Sequence, residues 1–325
     1  MRSELLLVAA LISACGTPST VTDAGTTDAG STTATDAGSG DPTVLVGTFQ
    51  VLHLVGDGAN PTASFFGKVY DGPTPQSLVW ELDTKDGECE LQTPRVPFCA
   101  TPCGGSAVCV ENDVCKPYPT SKGVGTVHAS GLLTAGSVGT IDMTPVVNGY
   151  QPPSTVTLAV PPFADGVALT VSAEGSSSVA PFTLASTGVA PIALTSSALT
   201  LQTGMPLDLT WTPGSATTAA RIKVKLDISH HGGTRGQILC DAADDGALTI
   251  SAALTTKLIN LGVSGFPSIV VQRQKTGSTV ISAGRVDYVV GSELENFVTI
   301  PGLTSCTDDA ECTPPQTCQT DLRCQ

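Results

Sequence analysis

Charged and aromatic side chains are scarce in this sequence, where they make up 14% and 4% of the 325 residues. Positive charge is especially scarce, because 15 Lys and Arg residues stand against 29 Asp and Glu residues. The net charge of −14 argues against a nucleic-acid partner, since an acidic surface repels phosphate groups. Thr, Ser, Val, Ala and Gly fill the other positions, a mixture typical of extracellular all-β proteins rather than cytosolic enzymes.

Sequence motifs that carry catalysis are also missing. The sequence contains no His-Glu-x-x-His pattern and no P-loop. Gly262-Val263-Ser264-Gly265 is not a nucleophile elbow, because its second glycine falls one position early. The sequence therefore predicts no catalytic residue, no cofactor and no enzymatic activity.

Residues that could bind a metal are present but badly arranged. His53 and His128 lie in strand-like segments and are interpreted as ordinary strand histidines. His230 and His231 precede two glycines, a pattern that favours a polar turn over a metal site. The acidic residues within 241–246 lack the alternating ligands of an EF-hand loop and also indicate a turn. No metal site is predicted.

No apolar run is long enough to cross a bilayer, which requires about 20 residues. The run Leu5–Ile12 follows Arg2 and leads through two small residues to Cys15. A charged start, a short apolar segment and a small-residue cleavage site resemble the signal of bacterial lipoproteins. The resemblance implies that residues 1–14 are a signal peptide and that the Cys15 thiolate receives a diacylglycerol. An ordinary secretory signal, with Cys15 present by chance, is the alternative.

Residues 15–43 are predicted to be a disordered tether. Asp-Ala-Gly occurs three times there among Thr and Ser residues. Such a segment has too little apolar surface to offset the entropy lost on ordering, and as a flexible coil it would reach about 30 Å. The lipoprotein resemblance implies a lipid-anchored outer-membrane protein. Gly16 after the cysteine favours that membrane over the inner one.

Eleven cysteines indicate an oxidising compartment, where structural disulfides persist. If Cys15 is lipidated, ten cysteines remain, an even number that can pair completely. Two clusters share one spacing, with five residues between successive cysteines; they are Cys103, Cys109 and Cys115, and Cys306, Cys312, Cys318 and Cys324. Cys99 stands slightly closer to the first cluster. The repeat predicts two small modules that are held by crosslinks rather than by a core.

The tail from Cys306 to Cys324, with its Asp-rich first loop, resembles the small cysteine-rich repeats of bacterial surface lipoproteins. It is also similar in spacing to the cysteine-rich region of Dickkopf-type proteins. The resemblance implies a disulfide-bonded module and names no ligand. Zinc sites use cysteine pairs two to four residues apart, with further Cys or His ligands beyond, and only Cys99 and Cys103 approach that spacing. Disulfides are therefore favoured over zinc.

Disulfide connectivity cannot be read from spacing, so the pairing is a hypothesis. It joins the first cysteine of each cluster to the third and the second to the fourth. The two cysteines left over are then free to bridge the two halves of the body. The hypothesis gives the pairs Cys99–Cys109, Cys103–Cys115, Cys306–Cys318, Cys312–Cys324 and Cys89–Cys240.

From Val44 onward the pattern is that of β-strands, because short apolar runs alternate with Gly, Pro, Asp and Asn. Arg221–Ile228 is the clearest strand, since apolar and polar residues alternate strictly along it. Ser251–Leu261 is the one predicted helix. Phe65–Tyr70 and Ser77–Leu82 are predicted to form a hairpin, and Thr155–Val160 a further strand. Trp80 and Trp211 are the predicted bulky core residues.

The predicted fold class is all-β: two β-sandwich segments of immunoglobulin-like architecture, two disulfide-rich modules and a disordered tether. The predicted segments are a signal peptide (1–14), the tether (15–43), a β-sandwich (44–187) with a cysteine-rich insertion (86–120), an immunoglobulin-like sandwich (188–303) and a cysteine-rich tail (304–325).

The function expected from these features is that of a non-enzymatic, lipid-anchored cell-envelope protein. It would act in adhesion or recognition at the outer surface, with the membrane and a protein or glycan ligand as partners. A periplasm-facing lipoprotein for envelope structure or assembly is the second hypothesis. A secreted-type hydrolase is the third, and a cleft with paired carboxylates or a Ser-His-acid arrangement would favour it.

Overall fold

The computed structural model describes residues 40–56, 60–135, 138–196 and 198–325. Cys15, the signal peptide and most of the tether lie outside these residues. The described chain forms eighteen strands, one α-helix and one 3₁₀ turn. These elements are β1 (Leu45–Val55), β2 (Thr62–Tyr70), β3 (Val79–Asp86), β4 (Cys89–Arg95), β5 (Ala107–Glu111), β6 (Val114–Pro117), β7 (Ser121–Lys122), β8 (Val127–Leu133), β9 (Val138–Met143), β10 (Gly149–Tyr150), β11 (Ala168–Ala173), β12 (Phe182–Thr187), β13 (Leu207–Thr210), β14 (Arg221–Asp227), β15 (Gln237–Ala243), β16 (Ala247–Ile250), α1 (Ala252–Asn260), β17 (Ser268–Ile281), β18 (Gly284–Phe297) and the 3₁₀ turn Asp309–Glu311.

A ten-stranded sheet runs through the described chain in the order β10-β2-β1-β18-β17-β14-β15-β4-β3, with β7 also beside β2. Its first long strand, β1, pairs in parallel with its last, β18. A four-stranded sheet has the order β12-β11-β8-β9, and two-stranded sheets are formed by β13 with β16 and by β5 with β6. Neither helical element among the described residues is long and apolar enough to cross a membrane.

The first hydrophobic core lies between one half of the ten-stranded sheet and the four-stranded sheet. Phe49 on β1 is central to it, with ring-centroid distances of 6.4 Å to Phe65, 5.9 Å to Tyr150 and 6.3 Å to Phe182. Tilted aromatic contacts at these distances favour packing beyond the area that they bury. Two sheets that bury their inner faces against each other make this region a β-sandwich.

The second core lies between the other half of the ten-stranded sheet and a layer made of β13, β16 and α1. On β14 the apolar positions Ile222, Val224 and Leu226 are buried in this core, as their alternation predicts. The helix prediction is also confirmed: α1 begins after Ser251, whose side chain accepts a hydrogen bond from the Leu254 N–H. The all-β, two-sandwich fold predicted from the sequence is therefore what the structure shows.

Strands are exchanged between the two sandwich regions. The first core takes Val286, Tyr288 and Val290 from β18, far along the chain, while the second takes Cys89 and Leu91 from β4. The ten-stranded sheet thus continues across the predicted boundary at residues 187–188. The residue ranges of the domains stay predictions.

A buried ion pair fixes the segment that connects the two cores. The guanidinium of Arg273 on β17 contacts both carboxylate oxygens of Asp244, at 2.7 and 3.0 Å, and both side chains are buried. It also donates to the carbonyls of Ala190 and Pro191, at 3.1 and 2.9 Å. Trp211 Nε1 donates to Asp244 at 2.8 Å. A buried charge pair is tolerable when its hydrogen-bonding capacity is filled in this way.

Three local predictions are wrong. The predicted hairpin does not form, because β2 pairs with β1 whereas β3 pairs with β4 at the far edge of the sheet. Thr155–Val160 makes only an isolated bridge, through Leu158 to Thr134, and prolines on both sides limit its extension. Trp211 is buried in the second core as predicted, but Trp80 is only half-buried because β3 is an edge strand.

Candidate functional site

The cysteines within the described residues form five disulfides, and they join the same pairs as the sequence hypothesis. Their Cα–Cα separations range from 4.1 to 5.9 Å. Cys89 and Cys240 lie opposite each other on β4 and β15, so their bridge joins two neighbouring strands of the ten-stranded sheet and closes a separation of 151 residues. The other pairs staple the two modules and are Cys99–Cys109, Cys103–Cys115, Cys306–Cys318 and Cys312–Cys324.

The insert module, defined here as residues 96–120, is held by two of these disulfides and by the short sheet of β5 and β6. The Asn112 side chain accepts a hydrogen bond from the Phe98 N–H at 3.1 Å, and Asp113 accepts one from Ala100 at 2.9 Å. Asp113 itself has a φ of 60°, a left-handed conformation that Asp tolerates better than most residues. Side chains and crosslinks therefore fix a module that has almost no apolar interior.

The tail module, residues 304–325, repeats the same disulfide pattern. Its acidic side chains act within the module: Asp308 accepts from the Ala310 N–H and Asp309 from the Cys318 N–H, both at 2.8 Å. The module is joined to the body where the Gly265 N–H donates to the Asp321 carbonyl at 2.8 Å. These carboxylates hold the local backbone, so they are already engaged within the module.

The cysteine clusters contain the atoms that a metal could contact. In each module three sulfur atoms lie within 4.8 Å of one another, namely those of Cys99, Cys103 and Cys115 and those of Cys306, Cys312 and Cys318. This closeness results from two neighbouring disulfides, and a zinc site needs thiolates instead. The disulfide state of the chain does not supply those ligands.

Large apolar side chains remain exposed on the insert module. Val96 and Phe98 are 74% and 72% exposed, and Val114 and Tyr118 are also exposed. Tyr118 lines an open cleft of about 420 Å³ between loop 71–75 and segment 116–120, together with several prolines and Lys116. Large apolar side chains that are exposed on a rigid support can serve as anchors of a protein recognition surface. We name this group of four side chains and the adjoining cleft the insert surface.

His53 and His128 lie in different environments, whereas the rings of His230 and His231 contact each other at a centroid distance of 3.9 Å. His128 on β8 contacts Asp142 through Nδ1 at 2.7 Å and Glu174 through Nε2 at 3.4 Å. The hydrogen bond to Asp142, with a smaller contribution from Glu174, raises the pKa of His128 above its usual value. His53 is buried, and burial lowers its pKa; its Nδ1 lies 3.3 Å from the Ser292 hydroxyl. Both ring nitrogens of His128 face carboxylates, so this ring is arranged as an ion-pair partner.

The three acidic residues of the predicted turn each have different partners. Asp241 pairs with Arg221 at 2.8 Å and with Lys223, Asp244 belongs to the buried ion pair, and Asp245 accepts from Ala247. The three carboxylates do not converge on one point. Asp241 lies in strand β15, so only Asp244 and Asp245 lie in the predicted turn.

Among the carboxylates of the described residues, Glu293 on β18 has the largest upward shift in pKa. Burial, with a contribution from nearby Glu295, raises the pKa of Glu293 to about 7. It lies opposite Leu54 and Gln272 in the register of the ten-stranded sheet.

Sequence reasoning located the cysteines but missed the insert surface. The available signal was the placement of Val96, Phe98, Val114 and Tyr118 between or beside cysteines, in a segment too short to bury them. Large apolar residues in a module without a core have to remain near the surface. The predicted insertion, residues 86–120, already contains all four side chains, so the sequence alone was enough for this inference.

No family model and no curated protein matches this chain. Among solved structures, the FN1–FN3 domains of chicken CNTN1 show a likeness with 9% sequence identity and a TM-score of 0.18. The match covers 72% of this chain and 69% of that one. A TM-score this low is insufficient to indicate a shared fold or a shared function.

Proposed function

We propose that this chain is a non-enzymatic, lipid-anchored protein of the bacterial cell envelope that recognises a protein or glycan at the outer surface through its insert surface. The observation that carries the proposal is the exposure of Val96, Phe98, Val114 and Tyr118 on one doubly crosslinked module. The β-sandwich body supports this module, and Cys15 would provide the anchor.

Rigidity is what makes the insert surface suited to binding. The two disulfides restrict the module before any partner arrives, which reduces the conformational entropy lost on association. Aromatic side chains contribute a large share of binding energy when a partner covers them, and Phe98 and Tyr118 offer two. The cleft beside Tyr118 provides a concave surface next to these apolar side chains.

The anchor is tested by labelled-palmitate incorporation into the wild-type chain and the Cys15→Ala variant. The proposal expects label in the wild type and loss of label in the variant, because only a lipidated first cysteine holds the acyl chains. Equal labelling of both chains contradicts the anchor. Protease treatment of intact cells then separates the outer surface from the periplasmic face, since only an outer-surface protein is digested without lysis.

Recognition is tested by saturable binding of the purified chain to whole cells and isolated cell envelopes of the producing bacterium. Phe98→Ser removes a 72% exposed ring and is expected to weaken binding at least tenfold, as truncation of an aromatic hot spot does. Leu82→Ser is the matched control, because Leu82 is similarly exposed on β3, outside the insert module. Equal losses in both variants would contradict a specific role for the insert surface.

A further inference from the structure

The chain enters the described fold at one end of the ten-stranded sheet. The Arg285 N–H donates to the Val44 carbonyl at 2.7 Å, and the Arg285 guanidinium donates to the Pro42 carbonyl at 3.1 Å. These bonds hold the segment before β1 against the start of β18. Residues upstream of Gly40 therefore join the body at this end, and so would any lipid anchor at Cys15.

An apolar turn projects from the same end. Val146 and Gly149 exchange two backbone hydrogen bonds of 2.8 and 2.9 Å, which closes a two-residue turn. Gly149 lies opposite Lys68 on β2, and the Asn148 side chain bonds to Ser121 of β7, which pairs with Tyr70 further towards the end of β2. Because β2 runs antiparallel to β1, that direction leads to the first residues of β1. The turn and the point of chain entrance are thus neighbours at one end of the sheet.

The turn presents its apolar residues to solvent under backbone strain. Val147 is 87% exposed and Val146 is 63% exposed. Val147 has a φ of 50° and Asn148 a φ of 57°, a left-handed pair that suits Asn but disfavours a β-branched valine. A polar residue or glycine would fit this position with less strain and greater solubility. Strained residues of this kind cluster at functional sites, where the surrounding structure holds them.

Hydrogen bonds to neighbouring segments hold the turn in place. The Asn148 amide donates to the Ser121 carbonyl at 2.9 Å. The buried Tyr150 hydroxyl accepts from the Val124 N–H at 2.7 Å and donates to the Gly125 carbonyl at 3.1 Å. The two valines therefore project from a fixed support.

Charges around this end balance. Lys122 pairs with Asp71 at 3.1 Å, Arg285 pairs with Asp287 at 3.0 Å, and Lys68 lies over the Tyr70 ring at 5.4 Å. Asp41, beside the entrance, accepts hydrogen bonds from Thr43. On a chain of net charge −14, an end whose charges balance is repelled less by an anionic lipid surface than an acidic face would be.

We propose that the Val146–Val147 turn inserts into the interface of the phospholipid bilayer to which the chain is anchored. This inference rests on the proposed lipid anchor at Cys15. The 26 residues from Cys15 to Gly40 would reach about 25–30 Å as a flexible coil, which would keep this end of the body near the membrane. Such a short tether creates a high local concentration, so a small apolar tip is sufficient for contact.

The test compares two tryptophan variants of the full acylated chain, reconstituted in vesicles of phosphatidylethanolamine and phosphatidylglycerol. Val146→Trp places a fluorophore on the turn, and Phe297→Trp places one at a similarly exposed position on the last residue of β18, at the opposite end of the sheet. Emission from the native Trp80 and Trp211 is subtracted with the wild-type chain. Unchanged urea midpoints establish that both variants fold. Acyl chains that carry bromine quench only fluorophores that enter the bilayer.

The expected result is a blue shift and loss of most of the added emission for Val146→Trp, with little change for Phe297→Trp. The shift should persist at high salt, because apolar burial rather than charge drives it. Adding Val147→Asp to Val146→Trp should restore the emission. Equal quenching of the two variants, or no quenching of either, would overturn the proposal. A loss of emission that occurs without brominated lipid and varies with protein concentration would also overturn it. Failure of the anchor is distinguished separately, as absence of palmitate label on the wild-type chain.

Discussion

Removal of the Cys89–Cys240 disulfide should destabilise this protein more than removal of any disulfide within the modules. The two Cα atoms lie 4.1 Å apart at directly opposed positions on β4 and β15, and both side chains are buried in the second core. The perturbation is the double variant Cys89→Ala with Cys240→Ala, which leaves no free thiol. The matched control is Cys99→Ala with Cys109→Ala.

The expected magnitudes follow from the length of chain that each disulfide closes. In the loop-entropy model, a separation of 151 residues corresponds to about 5 kcal/mol of stabilisation, whereas a separation of 10 residues corresponds to about 3 kcal/mol. Domains of ordinary stability unfold with about 5–15 kcal/mol, so the longer crosslink accounts for a large part of the total.

The assay is urea unfolding without reductant, monitored by tryptophan fluorescence. Trp211 is a suitable probe because it lies in the second core together with Cys89 and Cys240. The free energy of unfolding should fall by about 5 kcal/mol in the Cys89/Cys240 variant and by at most about 3 kcal/mol in the control. An unchanged midpoint in the first variant, or a larger loss in the control, would refute the reasoning.

Three further predictions concern buried polar groups. Arg273→Met leaves the Asp244 carboxylate buried without its cation and should cost about 3–5 kcal/mol in urea unfolding; a loss below 1 kcal/mol would show that the pair is dispensable. Tyr288→Phe removes a buried hydroxyl that has no hydrogen-bond partner and should stabilise the fold by about 1–3 kcal/mol, seen as a higher thermal midpoint; a lower midpoint would contradict it. Burial lowers the pKa of His53, so the stability from its neutral form is full above the unfolded pKa of about 6.5 and declines as pH falls below it. His53→Gln should reduce that decline between pH 7.5 and 5.5 in urea titrations, and an identical pH dependence in both chains would exclude His53 as its source.

The sequence was sufficient to predict the elements whose signal is local. The alternation on β14 shows directly which side chains face a core, and the Ser251 cap marks the start of α1. Cysteine spacing led to a pairing hypothesis that coincides with the disulfides of the structure. These features depend on residues that are near one another in the chain or on a countable set of cysteines.

Strand pairing over long distances was not predictable in the same way. The β2–β3 hairpin was expected because a turn signal separates the two strands, yet β2 pairs with β1 and β3 with β4. The choice between these partners depends on which apolar faces are covered by the whole sheet, and a turn signal contains no information about that. The buried Arg273–Asp244 pair is also non-local, since Arg273 lies on β17 and Asp244 lies in the turn between β15 and β16.

The parallel pairing of β1 with β18 has a consequence for the order in which the protein can fold. Phe49 and Tyr288 are partners in this pairing, so the centre of the first sandwich combines residues from opposite ends of the body. Contacts between such distant residues form late, because the intervening chain must be closed into a loop first. The first sandwich therefore cannot be completed until β18 has been synthesised. A ribosome that stopped before β18 would release a chain in which neither this sandwich nor the sheet joining it to the next could close.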